Sequence, residues 1–300
     1  MSKTLLSSKV IDQLTDSVKQ SIDWVGIESM TLPIYYRLAD EAYRTAAQID
    51  IAVSLDDGSF KGIDMAELYF NTQEILADQE LDFASLNDLA NKLLEVHSDR
   101  TKSFKIEVSF DFFKEQDTLR SKETGIRSYP VSLELVNIDG ELACYINFEI
   151  MYASTCPCSE AASRRENLAK FKEFFANNST DDFEAWYLDQ QNTFAHPHAQ
   201  KSQAKFSLSM ADVPQNPCDY VLEMITELEA QIQTAVHAAV RQEDEAAFTT
   251  KMGDNLIFIE DAAKQFKEFI LGRKEIMNSI CELTHYESIH PHNAKAIFTT

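Results

Sequence analysis

The 300-residue chain has seven histidines, and four of them form two His-Pro-His triplets, His196-Pro197-His198 and His290-Pro291-His292. Cys156-Pro157-Cys158 repeats the device, so three of the seven prolines separate pairs of side chains able to bind a metal. Proline fixes its own φ and disfavours the helical region for the residue before it, which holds the outer two side chains at a strand-like separation. A thiolate, an imidazole and a carboxylate together suit zinc or a similar divalent cation and leave one coordination position for water. An open position for water is what separates a catalytic metal site from a closed structural one. Cys156 and His198 lie 42 residues apart, too far for a zinc finger, and tertiary structure must close the gap. The alternative stays open that these cysteines and histidines are satisfied core residues.

The elements that must position these residues follow from hydrophobic spacing. Residues 1–48 carry Val10, Ile11 and Leu14, then Val18, Ile22 and Val25, at helical spacing, with Gly26 and Pro33 as breaks. Ile49, Ile51, Val53 and Leu55 alternate as a strand, and Asp56-Asp57-Gly58 supplies turn chemistry for a hairpin. Helices are predicted at 65–77 and 84–97, then strands around Phe104–Phe112 and Val131–Leu135. After the turn residues Asn137 to Gly140, alternation resumes from Leu142 to Tyr152 and from Phe206 to Met210. Long helices are predicted at 218–241 and 256–277, with closing strands near 281–287 and 294–299. The second half thus repeats the strand-strand-helix-helix-strand-strand order of the first, which places a boundary near Gly140 and gives units of 1–140 and 141–300. A helical insertion, 159–201, separates Cys158 from the second strand, and its aromatic residues suggest a cap over the domain.

Charge narrows the partners. With 27 basic and 49 acidic residues, a formal charge of −22 is the wrong sign for a surface that lies along nucleic acid or an anionic membrane. No apolar run approaches the roughly 20 residues of a membrane span, and the start of the chain is too short in apolar residues for a secretion signal. A cytoplasmic protein is expected, with its five cysteines reduced.

The segments Ser154-Thr155-Cys156-Pro157-Cys158-Ser159, Pro197-His198-Ala199-Gln200-Lys201-Ser202, Gln242-Glu243-Asp244-Glu245, Asn255 to Asp261 and Tyr286 to His292 occur in an order that resembles the type IB GTP cyclohydrolase I family. Val25-Gly26-Ile27 and Lys61 to Met65 add weaker support from the first half. The resemblance implies an α+β chain of tandem tunnelling-fold (T-fold) modules, antiparallel sheets with helices on one face. It further implies a homotetramer with active sites at subunit interfaces, and conversion of GTP to 7,8-dihydroneopterin triphosphate and formate. Cys156, His198 and Glu245 would hold a divalent metal ion, zinc, manganese or iron. Glu260 would read the guanine edge, Glu287, His290 and His292 would work in proton transfer, and Cys158 would lie close by.

The chain departs from that family at two places. Asp64-Met65-Ala66-Glu67 stands where His-Met-Ser-Arg is usual, and Lys201 replaces an arginine, a point charge in place of a planar fork. Lys201, Arg164, Arg165 and Arg241 are the cations available for a triphosphate. Two rival readings follow: a paralogue that keeps the metal and acts on another purine, and a non-catalytic assembly protein.

Overall fold

The computed structural model describes residues 18–300, and in it eight strands form one antiparallel sheet in chain order. The strands are β1 (Ile22–Leu38), β2 (Glu41–Leu55), β3 (Phe104–Asp117), β4 (Thr124–Ile138), β5 (Glu141–Thr155), β6 (Ala199–Met210), β7 (Ile276–His285) and β8 (Ala294–Thr299). Helices α1 (Met65–Asp78) and α2 (Phe83–Val96) join β2 to β3; α3 (Pro157–Asn177) and α4 (Phe183–Leu188) join β5 to β6. Three more, α5 (Pro217–Ile232), α6 (Gln242–Asp254) and α7 (Ile259–Leu271), lie between β6 and β7. This is the expected α+β class. Gly140 occupies the β4–β5 turn at φ +93°, a region glycine enters without a Cβ penalty, and sheet hydrogen bonding continues on both sides of it.

Period-two alternation decides which face is covered. Ile106, Val108, Phe110 and Phe112 on β3 and Ile146, Phe148 and Ile150 on β5 are buried, and they meet Leu86 and Leu89 of α2, Val221 and Leu228 of α5 and Phe266 of α7 in one core. Burying a side chain of this size contributes about 1.5–3 kcal/mol. Among the described residues the opposite face carries no such helical cover: Gln48, Ser109, Ser132, Asn147, Glu149 and Lys205 help line an open groove of about 700 Å³.

Three expectations are corrected. Ile22 and Val25 belong to β1 and not to a helix; the β1–β2 register shifts between Ile22 and Val25 and again between Ile27 and Met30. Bulges break the alternation and leave apolar residues at three-residue spacing, which imitates a helix. Val10, Ile11 and Leu14 lie outside the described residues. Between the two shifts Gly26 is forced, because a Cβ there would stand 1.8 Å from the Ile51 carbonyl oxygen. The hairpin partner of β2 is β1, turning at Ala39, while Asp56 to Gly58 lead instead toward α1.

The third correction bears on the site. The stripe running to Val240 predicts helix through 241, yet α5 stops at Ile232, with Gln233 left-handed at φ 65°. Past Phe148, β5 no longer pairs with β4, and its free edge takes up the released segment. Ala153 N–H donates to the Thr234 carbonyl (2.8 Å), and Val236 N–H donates to the Met151 carbonyl (3.1 Å). An edge of unsatisfied buried peptide groups costs more than the last turns of a helix are worth.

Candidate active site

One face of three adjacent strands turns from apolar to polar as it nears its end. On β5 the core-facing series Ile146, Phe148, Ile150 continues as Tyr152 and Ser154, and the next residue of that parity is Cys156. On β6, Gln200 and Ser202 face the same way, preceded by His198; on β7, Leu283 and His285 are followed by Glu287. Register aligns them: Ser154 pairs with Gln200, Tyr152 with Ser202, and Ser202 with His285. Beyond the last pair, Cys156 N–H donates to the His198 carbonyl (3.2 Å), so the backbones of the two candidate ligands are joined.

Buried hydrogen bonds run behind this pair. His198 Nδ1 lies 3.0 Å from Gln200 Oε1, and Gln200 Nε2 donates to Ser154 Oγ at 3.0 Å. Ser154 Oγ also meets Ser202 Oγ (2.9 Å) and His285 Nδ1 (3.3 Å), and His285 Nε2 meets the Tyr152 hydroxyl (2.9 Å). Burial pushes the His285 imidazole down to about 4, against the opposing charge of Glu260, so it is neutral at physiological pH. Burial pushes the Tyr152 phenol upward, and it too stays neutral. Glu287 Oε2 stands 3.9 Å from His198 Nδ1, and both side chains are largely enclosed.

The segment from Gln233 to Phe258 brings the acidic residues to the same end of β5. It is tied there by the Thr234–Val236 contacts and again where Ile257 N–H donates to the Thr155 carbonyl (3.1 Å). Glu260 follows in the first turn of α7 and lies near enough for its charge to act on His285. Glu245 sits in the first turn of α6 and lines a cavity of about 380 Å³ with Val236, His237, Val240, Phe248 and Thr249. Its neighbour Asp244 is fully buried and accepts from Arg120 N–H (2.7 Å), Ser121 N–H (2.9 Å), Ser121 Oγ (2.6 Å) and Arg241 N–H (3.0 Å). Burial alone would raise that carboxyl, but these four donors hold it well below the usual carboxylate range and fasten α6 to the β3–β4 turn.

The insertion begins and ends at the candidate ligands. Cys156 is the N-cap residue of α3 and makes no side-chain cap bond, and Ser159 Oγ accepts from the N–H of His198 (3.1 Å). Between them Phe171, Phe174, Phe183, Trp186, Tyr187 and Phe194 pack on one another, with Phe174 and Trp186 stacked at 4.5 Å. The insertion therefore carries its own small aromatic core and fixes both ends of the loop.

The other expected site residues are less enclosed. Cys158 is exposed in the first turn of α3. Lys201 is exposed, pointing to the other side of β6 from Gln200 and Ser202. His290 and His292 are exposed, their rings stacked at 5.2 Å. Arg164 pairs with Glu160 and Arg241 with Glu123. Asp64 caps α1, accepting from Ala66 N–H (3.0 Å) and Glu67 N–H (3.3 Å). Gln200, Ser154, Tyr152 and His285 were not anticipated at the site; the parity of Tyr152 and Ser154 with Cys156, of Gln200 with His198 and of His285 with Glu287 is the sequence signal that marks them.

The donor chemistry here suits a divalent cation. The Cys156 thiol is not used as a cap, and the contact at His198 Nδ1 leaves Nε2 without a hydrogen-bond partner among the described residues. Among those residues no three His, Cys, Asp or Glu side chains converge closely enough to enclose an ion, so Glu245 is not drawn into one cluster with Cys156 and His198. Nor is any described helix long and apolar enough to cross a membrane.

Comparison with known proteins adds an independent line. The family model described as "Type I GTP cyclohydrolase folE2" matches residues 10–296. The chain is 36% identical over 276 residues to GTP cyclohydrolase FolE2 of Bdellovibrio bacteriovorus, covering 91% of this chain and 89% of that protein. It is 31% identical over 281 residues to GTP cyclohydrolase FolE2 of Hydrogenovibrio crunogenus, covering 93% and 89%. Uricase from Arthrobacter globiformis superposes with a TM-score of 0.48 at 11% identity, covering 95% of each chain. Carried by a match along nearly its whole length, the chain belongs to the type I GTP cyclohydrolase FolE2 family.

Proposed function

We propose that this protein is a metal-dependent GTP cyclohydrolase that converts GTP to 7,8-dihydroneopterin triphosphate and formate, the first step of folate and pterin biosynthesis. The observation that carries the reading is the joined Cys156–His198 pair at the polar end of β5 and β6, in a chain that matches the family from residue 10 to 296. Cys156, His198 and Glu245 are assigned as the protein donors to a divalent ion, zinc, manganese or iron. When bound, that ion supplies a hydroxide equivalent near neutral pH.

The chain's own residues do the rest. Glu260 accepts hydrogen bonds from the guanine edge, whose adjacent N–H donors adenine lacks. Glu287, beside His198, takes the proton from water as carbon 8 is attacked, and His290 with His292 delivers a proton to the departing ring nitrogen. Cys158 lies at the same helix start as Cys156 and borders the substrate.

The assembly is assigned as a cytoplasmic homotetramer with its sites at subunit interfaces and two T-fold modules meeting at Gly140 in each chain. The groove on the open face of the sheet, opposite the helices, supports an assembly.

The test is GTP turnover by metal-stripped protein reconstituted separately with zinc and manganese, read as pterin fluorescence after oxidation. Turnover returns with metal and is absent in Cys156→Ala. Tight metal binding without pterin from GTP would sink the reading and favour a paralogue acting on another purine.

A further inference from the structure

Gln200 has no role in the proposed chemistry, yet it is buried and touches His198 on one side and the Ser154 chain on the other. Its carbonyl oxygen can only accept, so the contact at 3.0 Å requires the proton on His198 Nδ1. A second acceptor faces the same nitrogen, Glu287 Oε2 at 3.9 Å. A bare Nδ1 would put its lone pair against both oxygens. With Nδ1 protonated, Nε2 keeps its lone pair, which is what a metal ligand needs.

The amide is itself held in place. Its Nε2 donates to Ser154 Oγ, a hydroxyl fixed by Ser202 and His285, and His285 is fixed by Tyr152, whose ring stands edge-on to Phe266. Tyr152, Ser154 and Ser202 are fully buried. Rotating the Gln200 amide would set an N–H donor against Nδ1 and reverse the sense of the Ser154 contact.

We propose that Gln200 is a positioning residue that, with Glu287, fixes His198 in the Nδ1–H tautomer and presents Nε2 to the metal, while the Ser154–His285–Tyr152 chain holds the amide in register. This rests on the assignment of His198 as a ligand. Outer partners of this kind are worth about 10–100-fold in metal affinity.

The test uses the full chain and three variants, Gln200→Leu, Gln200→Glu and His198→Ala. Imidazole 15N spectra of metal-free protein read the tautomer, the His198 signal being the one lost in H198A among seven histidines. Competition against a chelating dye reads zinc affinity. The parent is expected to show Nδ1–H. Q200L is expected to mix the tautomers and bind zinc about 10–100-fold more weakly, and Q200E, which keeps an acceptor, to restore both. A parent His198 protonated on Nε2, or a Q200L that binds zinc as the parent does, would overturn the proposal. H198A binding zinc with undiminished affinity would instead overturn the ligand assignment beneath it, an outcome the tautomer spectrum cannot imitate.

Discussion

At the end of β2, Ser54 donates to Asp56 Oδ2 (2.7 Å) and accepts from the N–H groups of Lys102 (3.1 Å) and Ser103 (3.0 Å), while its carbonyl accepts from Thr101 Oγ1 (2.8 Å). At the end of β5, Ser154 is just as buried, but its partners are the side chains of Gln200, Ser202 and His285. The first cluster closes on its own loop, through two backbone N–H groups and the side chains of Asp56 and Thr101, and ends there. The second passes hydrogen bonds outward to His198, beside a thiol that caps nothing and a carboxylate 3.9 Å away. The two sheet ends therefore differ in where their polar atoms are consumed. A sheet end becomes a candidate site when its hydrogen bonds lead outward to side chains able to bind a metal and do not close on the adjoining loop.

The largest expected consequence is in pH dependence, since the second cluster itself contains a buried imidazole, His285. An unfolded histidine titrates near 6.5, whereas burial holds His285 at about 4. Below about pH 6.5 the unfolded chain binds the proton first, so stability is full above that value and falls toward pH 4, where the loss levels off. The total is on the order of 3 kcal/mol. Urea unfolding of parent and His285→Gln between pH 7 and 4 reads it; the two profiles must diverge in slope across that window. Parallel profiles would mean that His285 carries no unusual proton linkage, and the comparison would lose its electrostatic content.

Much of this contrast is present in the sequence but not ordered by it. Alternation places Tyr152, Ser154 and Cys156 on one face, and His198, Gln200 and Ser202 on one face. Only the β5–β6 register makes the two faces adjacent, and register is a tertiary fact. The proline-flanked cysteines and histidines mark the place because local backbone restriction is written in the residues themselves. The path of Gln233 to Phe258 is not so written. Its apolar spacing continues a helix, and what ends that helix is the unpaired edge of β5, which no local pattern reports. Glu245 is named only through the family motifs, and the path of its helix was not legible, because α6 has no hydrophobic stripe of its own and is fastened by a buried aspartate.

A matched pair of substitutions sharpens the comparison. Ser54→Ala strands the N–H groups of Lys102 and Ser103, and Ser154→Ala strands the amide of Gln200; each is expected to cost about 1–3 kcal/mol of stability. Zinc affinity should separate them. S154A frees the Gln200 amide and weakens binding, whereas S54A leaves it unchanged. Equal zinc titrations in the two variants would show that the second cluster is as purely structural as the first.

The smallest effect concerns Asp64, where the family usually has histidine. Its carboxylate accepts from two N–H groups in the first turn of α1, so its place in the fold is explained by helix capping alone. Asp64→Ala should then cost about 1 kcal/mol, read by urea unfolding. The complementary reading is steady-state kinetics with GTP. A capping residue moves stability and leaves KM in place, while a residue that faces substrate moves KM with little change in stability. The second result would extend the site to the end of β2 and α1, and the two sheet ends would then differ in degree of commitment and not in kind.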